Sequence, residues 1–460
     1  MLAEGRGGWE ISQFHRKDRK LRQRNFAGVC ARPGRRDATR TITKRTISML
    51  PTTGLIAARS AAASTQRQLI RALSSHVITT DTLIIGGGPV GSSSAYHLAR
   101  HRGGDGSGIV VVEKDPTYQS RNCSAVYSAG GIRQQFSLSE NIKMSLYGRD
   151  FLRDSDSLLA TEDGEHCDVQ FKEHGYLFLA ATDSGRDQMI KNHNTQVEAG
   201  CKDIKLLEKD ELQSKFPWLH SDDILLGSYG EKGEGWFDPH ALIMGLKTKA
   251  IEMGVTYIHG EPVSAQRDES SGRILSVDVK GKNEDITTHN VGHVVNAAGA
   301  QAESAMNLLA GGPGALKYSL PVKPRKRCIF FFHCAAKEGV PPVAPLTVDP
   351  SFVYFRSEGS GENATFLCGV SPTHEQDPDI YNHQSLEDAD HHLFEDIIWP
   401  ALFHRVPAFG EIKIRSSWAG LYEYNTIDQN GIIAFHPEMN NVLVSVSKLR
   451  SLRSRVRKIF

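Results

Sequence analysis

A chain of 460 residues, 39% hydrophobic and 23% charged, has room for one large domain or two intertwined ones, and its composition excludes a collagen, a coiled-coil rod or a wholly disordered chain. Residues 1–80 hold 16 Lys and Arg against 4 Asp and Glu, whereas the remainder holds 38 against 49, so a basic leader precedes an acidic body without the positive surplus expected of a nucleic-acid surface. The apolar runs, such as Cys328 to Phe332, fall far short of the about 20 residues that a membrane-spanning helix requires. Between Asp37 and Asp81 there is no acidic residue, while Arg40, Lys44, Arg45, Arg59, Arg67 and Arg71 recur among Ser, Thr, Ala and Leu. This is the composition of a mitochondrial transit peptide, with Met49 as a second plausible start, and the alternative is a disordered basic tail. Residues 1–78 are therefore expected to lie outside the fold.

The first element beyond the leader is a short β-rich run, Thr82-Leu83-Ile84-Ile85, followed at once by Gly86-Gly87-Gly88-Pro89-Val90-Gly91 and a helix-like stretch from Ser92 to Arg102. Strand, glycine turn and helix in this order are a dinucleotide-binding fingerprint. Gly86 permits the sharp turn, Gly88 lets backbone N–H groups approach a pyrophosphate, and Gly91 lets the helix pack close to the strand. The positive end of the helix dipole then faces the phosphates. A second strand, Ile109 to Val112, ends in Glu113, 22 residues after Gly91, near the spacing at which a carboxylate grips the ribose hydroxyls.

The motif alone does not choose between FAD and NAD. No second unit of this kind occurs, because Gly311-Gly312-Pro313-Gly314 follows the helix-like stretch Ala300–Leu309 and reads as a helix stop. A flavoprotein reduced by NAD(P)H usually carries that second unit, whereas one that oxidises its substrate directly on the flavin does not need it. The seven cysteines have irregular spacing and no C-x-x-C pair, which fits a reducing compartment. Cys328, His333 and Cys334 read as core, and no metal site is expected.

Four segments then carry a resemblance. They are Ser124-Ala125-Val126-Tyr127-Ser128-Ala129-Gly130-Gly131-Ile132-Arg133; Gly233-Glu234-Gly235-Trp236-Phe237-Asp238-Pro239-His240; Val294-Val295-Asn296-Ala297-Ala298-Gly299; and Trp418-Ala419-Gly420-Leu421-Tyr422 with Asp428 to Ile433. In this order they resemble the D-amino-acid oxidase-type flavoenzymes, a family that includes sarcosine and glycine oxidases and dimethylglycine dehydrogenase. The resemblance covers residues 80–444. It implies an α/β fold in which a Rossmann-like FAD domain (80–150, 240–320 and 410–444) interleaves with an antiparallel-sheet substrate domain (151–239 and 321–409). It also implies that the fourth segment forms a late strand pair beside the isoalloxazine. Gly130 to Ser137 with Glu140-Asn141 is similar to a mitochondrial branch of the family associated with respiratory complex I assembly. That likeness implies complex I subunits or assembly factors as partners and a location in the matrix or on the matrix face of the inner membrane.

The resemblance further implies FAD as cofactor, with Gly86, Gly88, Pro89, Val90, Gly91, Glu113, Lys114, Ser128, Ala129, Gly130, Gly131, Val263, Ala298 and Gly299 as its binding residues. Members that attach FAD covalently use a His or a Cys at positions that here hold Tyr127 and Gly420 or Leu421, so binding is expected to be non-covalent. In the family a small amine or amino acid loses hydride to the flavin, which calls for a cation that holds the substrate carboxylate and a wall that positions its α-carbon. Arg133 is the candidate charge near the flavin, the alternative being a surface or phosphate-pairing arginine. Tyr354 and Arg356 lie two apart on an expected strand and would share one face, the alternative being ordinary sheet residues. His240 after Asp238-Pro239 reads as capping. The resemblance ends after Val444, where a glycine-rich turn is replaced by an atypical basic tail, residues 445–460.

Overall fold

A computed structural model describes residues 76–446 apart from 121–122, 335–338, 342, 360–364, 374–375 and 382–385. Nearly all of the leader and all but two residues of the basic tail lie outside the described residues. The elements run β1 (His76–Ile85), α1 (Pro89–His101), β2 (Ile109–Glu113), β3 (Gly131–Ile132), α2 (Ser139–Arg153), β4 (Tyr176–Ala180), α3 (Asp183–Glu198), β5 (Ile204–Leu207), α4 (Lys209–Lys215), β6 (Leu226–Gly230), β7 (Gly235–Trp236), α5 (Pro239–Glu252), β8 (Thr256–Arg267), β9 (Ile274–Gly281), β10 (Ile286–Asn296), α6 (Ala302–Ala310), β11 (Val322–Cys334), β12 (Leu346–Val348), β13 (Val353–Glu358), β14 (Thr365–Val370), α7 (Trp399–Arg405), β15 (Ile412–Asn425), β16 (Ile432–His436) and β17 (Met439–Val446).

The first sheet contains β1, β2, β8, β9, β10, β17 and β16. Its centre is parallel: β1 pairs with both β2 and β10, β2 with β8, and β10 with β17. A central parallel strand is covered on both faces and so reads as a continuous apolar run, which accounts for Ile109-Val110-Val111-Val112, all buried. Successive residues still alternate. Leu83 and Ile85 enter the core formed with Ala302, Ala305, Met306 and Leu309 of α6, while Ile84 enters the opposite core with Ala95, Tyr96 and Ala99 of α1 and Leu246 and Ala250 of α5. Ile85 is in register with Val112 and Asn296, and Asn296 with Val444. The carboxyl ends of four strands therefore open onto one crevice, where open α/β sheets bind ligands.

The second sheet has the order β15-β11-β14-β13-β12-β4-β6-β5. One face buries Cys328, Phe330, Phe332, Phe355, Phe366, Cys368, Ala419 and Leu421, with the rings of Phe332, Phe355 and Phe366 centred 5.1, 5.2 and 5.1 Å from Phe409. The other face carries Tyr176, Phe178, Leu346, Val348 and Tyr354 around Trp236. The two sheets interleave along the chain, giving an α/β fold.

Two expectations need correction. Residues 410–425 do not join the dinucleotide-binding sheet, because β15 pairs with β11 from Ile412 to Asn425. The Trp418–Tyr422 and Asp428–Ile433 segments are not a strand pair either, since β16 pairs with β17 in the first sheet. Both errors share a cause: a long apolar strand can be recognised locally, but its partner is set by contacts remote in sequence.

Candidate functional site

The crevice is walled by two glycine-dependent approaches of backbone to backbone. Gly86 has φ +95°, and a Cβ there would lie 2.6 Å from the Ala297 carbonyl oxygen; one at Gly91 would lie 1.8 Å from the Gly86 oxygen. These glycines close the β1–α1 turn against the Ala297–Gly299 turn. Gly88 differs, since a Cβ there would meet nothing within 4 Å. It caps α1 without a side-chain cap, Pro89 follows it, and the first turn carries no acidic residue. The helix N-terminus thus presents unneutralised N–H groups to open space, a fit for a pyrophosphate. Gly299, with φ +53°, opens the same way.

Glu113 ends β2 beside this cradle. One of its oxygens accepts from Gly87 N at 2.7 Å and the other from Asp115 N at 2.8 Å, so the carboxylate is oriented while lone pairs remain for hydroxyls. Burial pushes its pKa up, against the pull of those N–H groups. Lys114 is held 2.7 Å from Glu261. Val263, two positions farther along β8 in the bulge between Pro262 and Ser264, is 39% exposed. Behind the cradle Lys247 lies over the rings of Tyr118 and Tyr257.

The 124–131 loop bridges the cradle and the second sheet. Ser128 Oγ donates to the Ala125 carbonyl and accepts from Gly130 N. Arg356 Nε donates to the Ala129 carbonyl at 2.9 Å, and Trp418 Nε1 donates to the Tyr127 carbonyl at 3.0 Å. A Cβ on Gly130 would lie 2.3 Å from the Phe237 oxygen, and one on Gly420 would lie 3.0 Å from Tyr127 Cβ. Tyr127 and Gly420 are therefore neighbours.

Arg133 follows this loop. Its guanidinium carbon sits 4.9, 5.5 and 5.0 Å from the ring centres of Phe136, Tyr176 and Phe178, and one terminal nitrogen donates to Tyr176 Oη at 3.4 Å. Its Nε is buried without a hydrogen-bond partner, and among the described residues no carboxylate is in ion-pair contact with it. The other arginines of the region are committed. Arg327 makes two parallel bonds to Asp377, 2.6 and 2.7 Å, over the Tyr422 ring. Arg325 pairs with Asp379 at 2.7 Å. Arg356 donates to the Ser357 carbonyl at 2.9 Å, pairs with Glu358 and lies over Trp236. Tyr354 packs with Tyr176 and Trp236, and burial pushes its phenol pKa up. The structure thus brings Arg133, Tyr354 and Arg356 to one face, but ties Arg356 to the loop as a brace.

Sequence reasoning missed the acidic partners. Glu234 is wholly buried beneath the residues that follow Arg133. Burial pushes its pKa up to about 7 against the pull of Gln135, the Gln134 N–H and the Arg133 charge. An acid flanked by two glycines was its only local signal. Asp377, in a loop, offered none. His240 is where capping put it, with Asp238 accepting from the His240 and Ala241 N–H groups at 2.8 and 3.2 Å. Among the described residues one cluster has metal-ligand types, His220, Asp223 and His404. Both Asp223 oxygens are already taken by Arg405, at 2.7 and 3.0 Å, which makes it an ionic anchor.

Residues 81–447 match the model of a family described as FAD dependent oxidoreductase. A Xenopus laevis protein named FAD-dependent oxidoreductase domain-containing protein 1 is 40% identical over 385 residues, 79% of this chain and 74% of that protein. Mitochondrial dimethylglycine dehydrogenase of Rattus norvegicus is 30% identical over 229 residues, 50% of this chain and 24% of that protein. Among solved structures, L-proline dehydrogenase from P. horikoshii shares the fold with a TM-score of 0.65 at 22% identity, covering 80% of this chain and 88% of that one.

Proposed function

Because the chain belongs to the FAD-dependent oxidoreductase family, we propose that it oxidises a small amine or N-methyl amino acid, holding FAD non-covalently. The observation that carries this reading is the Arg133 guanidinium, fixed on three aromatic rings with unspent donors. An arginine so presented is a bidentate receptor for a carboxylate. The Phe178, Tyr176 and Tyr354 rings supply the wall that would position an α-carbon. When bound, FAD would supply the hydride acceptor. Gly86, Gly88 and Gly91 with the α1 N-terminus would hold its pyrophosphate and Glu113 its ribose, and neither a His nor a Cys stands at Tyr127, Gly420 or Leu421 to bond the flavin. Dimethylglycine dehydrogenase, similar over half of this chain, supports an amine substrate, and the acid-free basic segment before Asp81 supports a mitochondrial location.

The test is anaerobic mixing of the flavin-loaded protein with secondary and N-methylated amino acids. Loss of the visible flavin absorbance is expected, and Arg133→Ala should raise the required substrate concentration about 10- to 100-fold, the effect of losing a charge-assisted hydrogen bond. The internal commitment of Arg325, Arg327 and Arg356 favours a second reading, a non-catalytic FAD-binding assembly factor for complex I subunits. That reading requires the flavin to stay oxidised with every amine while Arg133→Ala still restores complex I in cells that lack the protein.

A further inference from the structure

The carboxylate of Glu234 is fully buried, and among the described residues no lysine or arginine is in ion-pair contact with it. One oxygen accepts from Gln134 N at 2.5 Å and from Gln135 N at 3.1 Å; the other accepts from Gln135 Nε2 at 2.6 Å. Gln135 Nε2 also donates to the Tyr176 carbonyl at 2.9 Å, and its Oε1 accepts from Ser228 Oγ at 2.7 Å. The Glu234 carbonyl accepts from Gly175 N at 3.0 Å, just before β4. The β6 backbone walls the carboxylate in, since a Cβ on Gly230 would lie 2.0 Å from it. This network joins the two residues after Arg133 to the strand that carries Tyr176 and Phe178, the rings on which Arg133 rests.

Every group facing Glu234 in this network is a donor. A carboxylate accepts on both oxygens, whereas an amide accepts on one and donates on the other. Glutamine at 234 would set its NH2 against the Gln134 and Gln135 N–H groups in one orientation and against Gln135 Nε2 in the other. Rotating Gln135 to relieve the second conflict would break its bonds to Tyr176 and Ser228. Only an ionised carboxylate accepts from every one of these donors.

We propose that Glu234 is the positioning residue that holds the Arg133 guanidinium on its aromatic platform, acting through Gln134, Gln135 and the Tyr176 backbone. This rests on the reading of Arg133 as the carboxylate receptor and identifies what presents it. Arg133 sets the charge, and Glu234 sets the place of the charge.

The experiment uses the flavin-loaded full chain as wild type, Glu234→Gln, Gly230→Ala, Arg133→Ala and the Arg133→Ala/Glu234→Gln double variant. Gly230→Ala displaces the carboxylate while keeping its charge. Each is titrated with benzoate and with benzamide, followed by the shift of the visible flavin band, and each is crystallised. Glu234→Gln and Gly230→Ala should each weaken benzoate at least about tenfold and leave benzamide unchanged, and the double variant should bind benzoate no worse than Arg133→Ala alone. In their crystals the guanidinium should leave the three rings. A folded Glu234→Gln in which Arg133 keeps its place on Phe136, Tyr176 and Phe178 overturns the proposal. If Glu234→Gln does not fold, Gly230→Ala decides by the same two readouts. Failure of the underlying reading looks different: benzoate then binds equally with or without Arg133, or not at all, while the crystals still show whether Glu234 places the guanidinium.

Discussion

The two halves of the site are built by different means. At the glycine-rich end the structure belongs to the backbone: N–H groups at the start of α1, two turns packed against one another, and glycines at positions where a Cβ would collide. At the Arg133 end the chemistry belongs to side chains from four remote segments, each fixed by another side chain. A backbone-built site is rigid because the fold is rigid. A side-chain-built site is rigid only while its supporting partners are in place.

The largest effect should come from the first half. Gly91→Ala drives a Cβ into the Gly86 oxygen and forces α1 off β1. Purified Gly91→Ala should carry no flavin, and its urea unfolding should show a loss of more than about 3 kcal/mol; flavin retention at wild-type stability would show that the turn has slack the geometry denies. The next effect belongs to the second half. Asp377, 5% exposed, is the shared partner of Arg325 and Arg327. Removing it leaves the Arg327 guanidinium without its counter-charge while Arg325 keeps Asp379, so Asp377→Ala should cost about 3 kcal/mol. Adding Arg327→Met should restore part of that loss, and a further drop in the double variant would contradict the pairing.

A smaller, pH-dependent effect belongs to Glu234. Its folded pKa of about 7 lies above its ordinary value of 4.5. The folded state therefore binds its proton more tightly than the unfolded state, and its stabilising contribution is complete below pH 4.5 and is lost as pH rises through 7. The swing is about 3 kcal/mol. Wild type should lose stability relative to Glu234→Gln between pH 5 and pH 8, measured as the difference between their unfolding free energies. A pH-independent difference would show that the carboxylate is ionised at no cost. The sign sets stability against function: above neutral pH the fold retains a buried negative charge that disfavours it, as expected if that charge is kept for what it orients.

Legibility follows the same division. Gly86 and Gly91 could be read from the sequence because local geometry requires a glycine at each, whereas Gly88 and Glu113 stood out only by their spacing in the motif. The helix stop at Gly311, φ +91°, and the cap at Asp238 were equally local. Alternation put Tyr354 and Arg356 on one face, yet it could not show that Arg356 would be spent on the Ala129 carbonyl, 227 residues away. Glu234 lies 99 residues from Gln135, and β15 finds β11 rather than the neighbour expected for it. Chain-distant hydrogen bonds leave no periodicity to read.

The smallest expected change in stability is also the sharpest test of the backbone half. Gly88 has φ −63° and caps α1, a conformation alanine can adopt, and a Cβ there meets no protein atom within 4 Å. Alanine is a poorer N-cap than glycine by up to about 1 kcal/mol, so Gly88→Ala should unfold close to wild type. If the space above Gly88 is where the pyrophosphate approaches the N–H groups, that same Cβ occupies it, and FAD affinity should fall by about tenfold or more. Gly91→Ala would then lose the cofactor because it loses the turn, whereas Gly88→Ala would lose it with the turn intact. Equal FAD affinity in Gly88→Ala and wild type would instead mean that the phosphates pass elsewhere along the crevice.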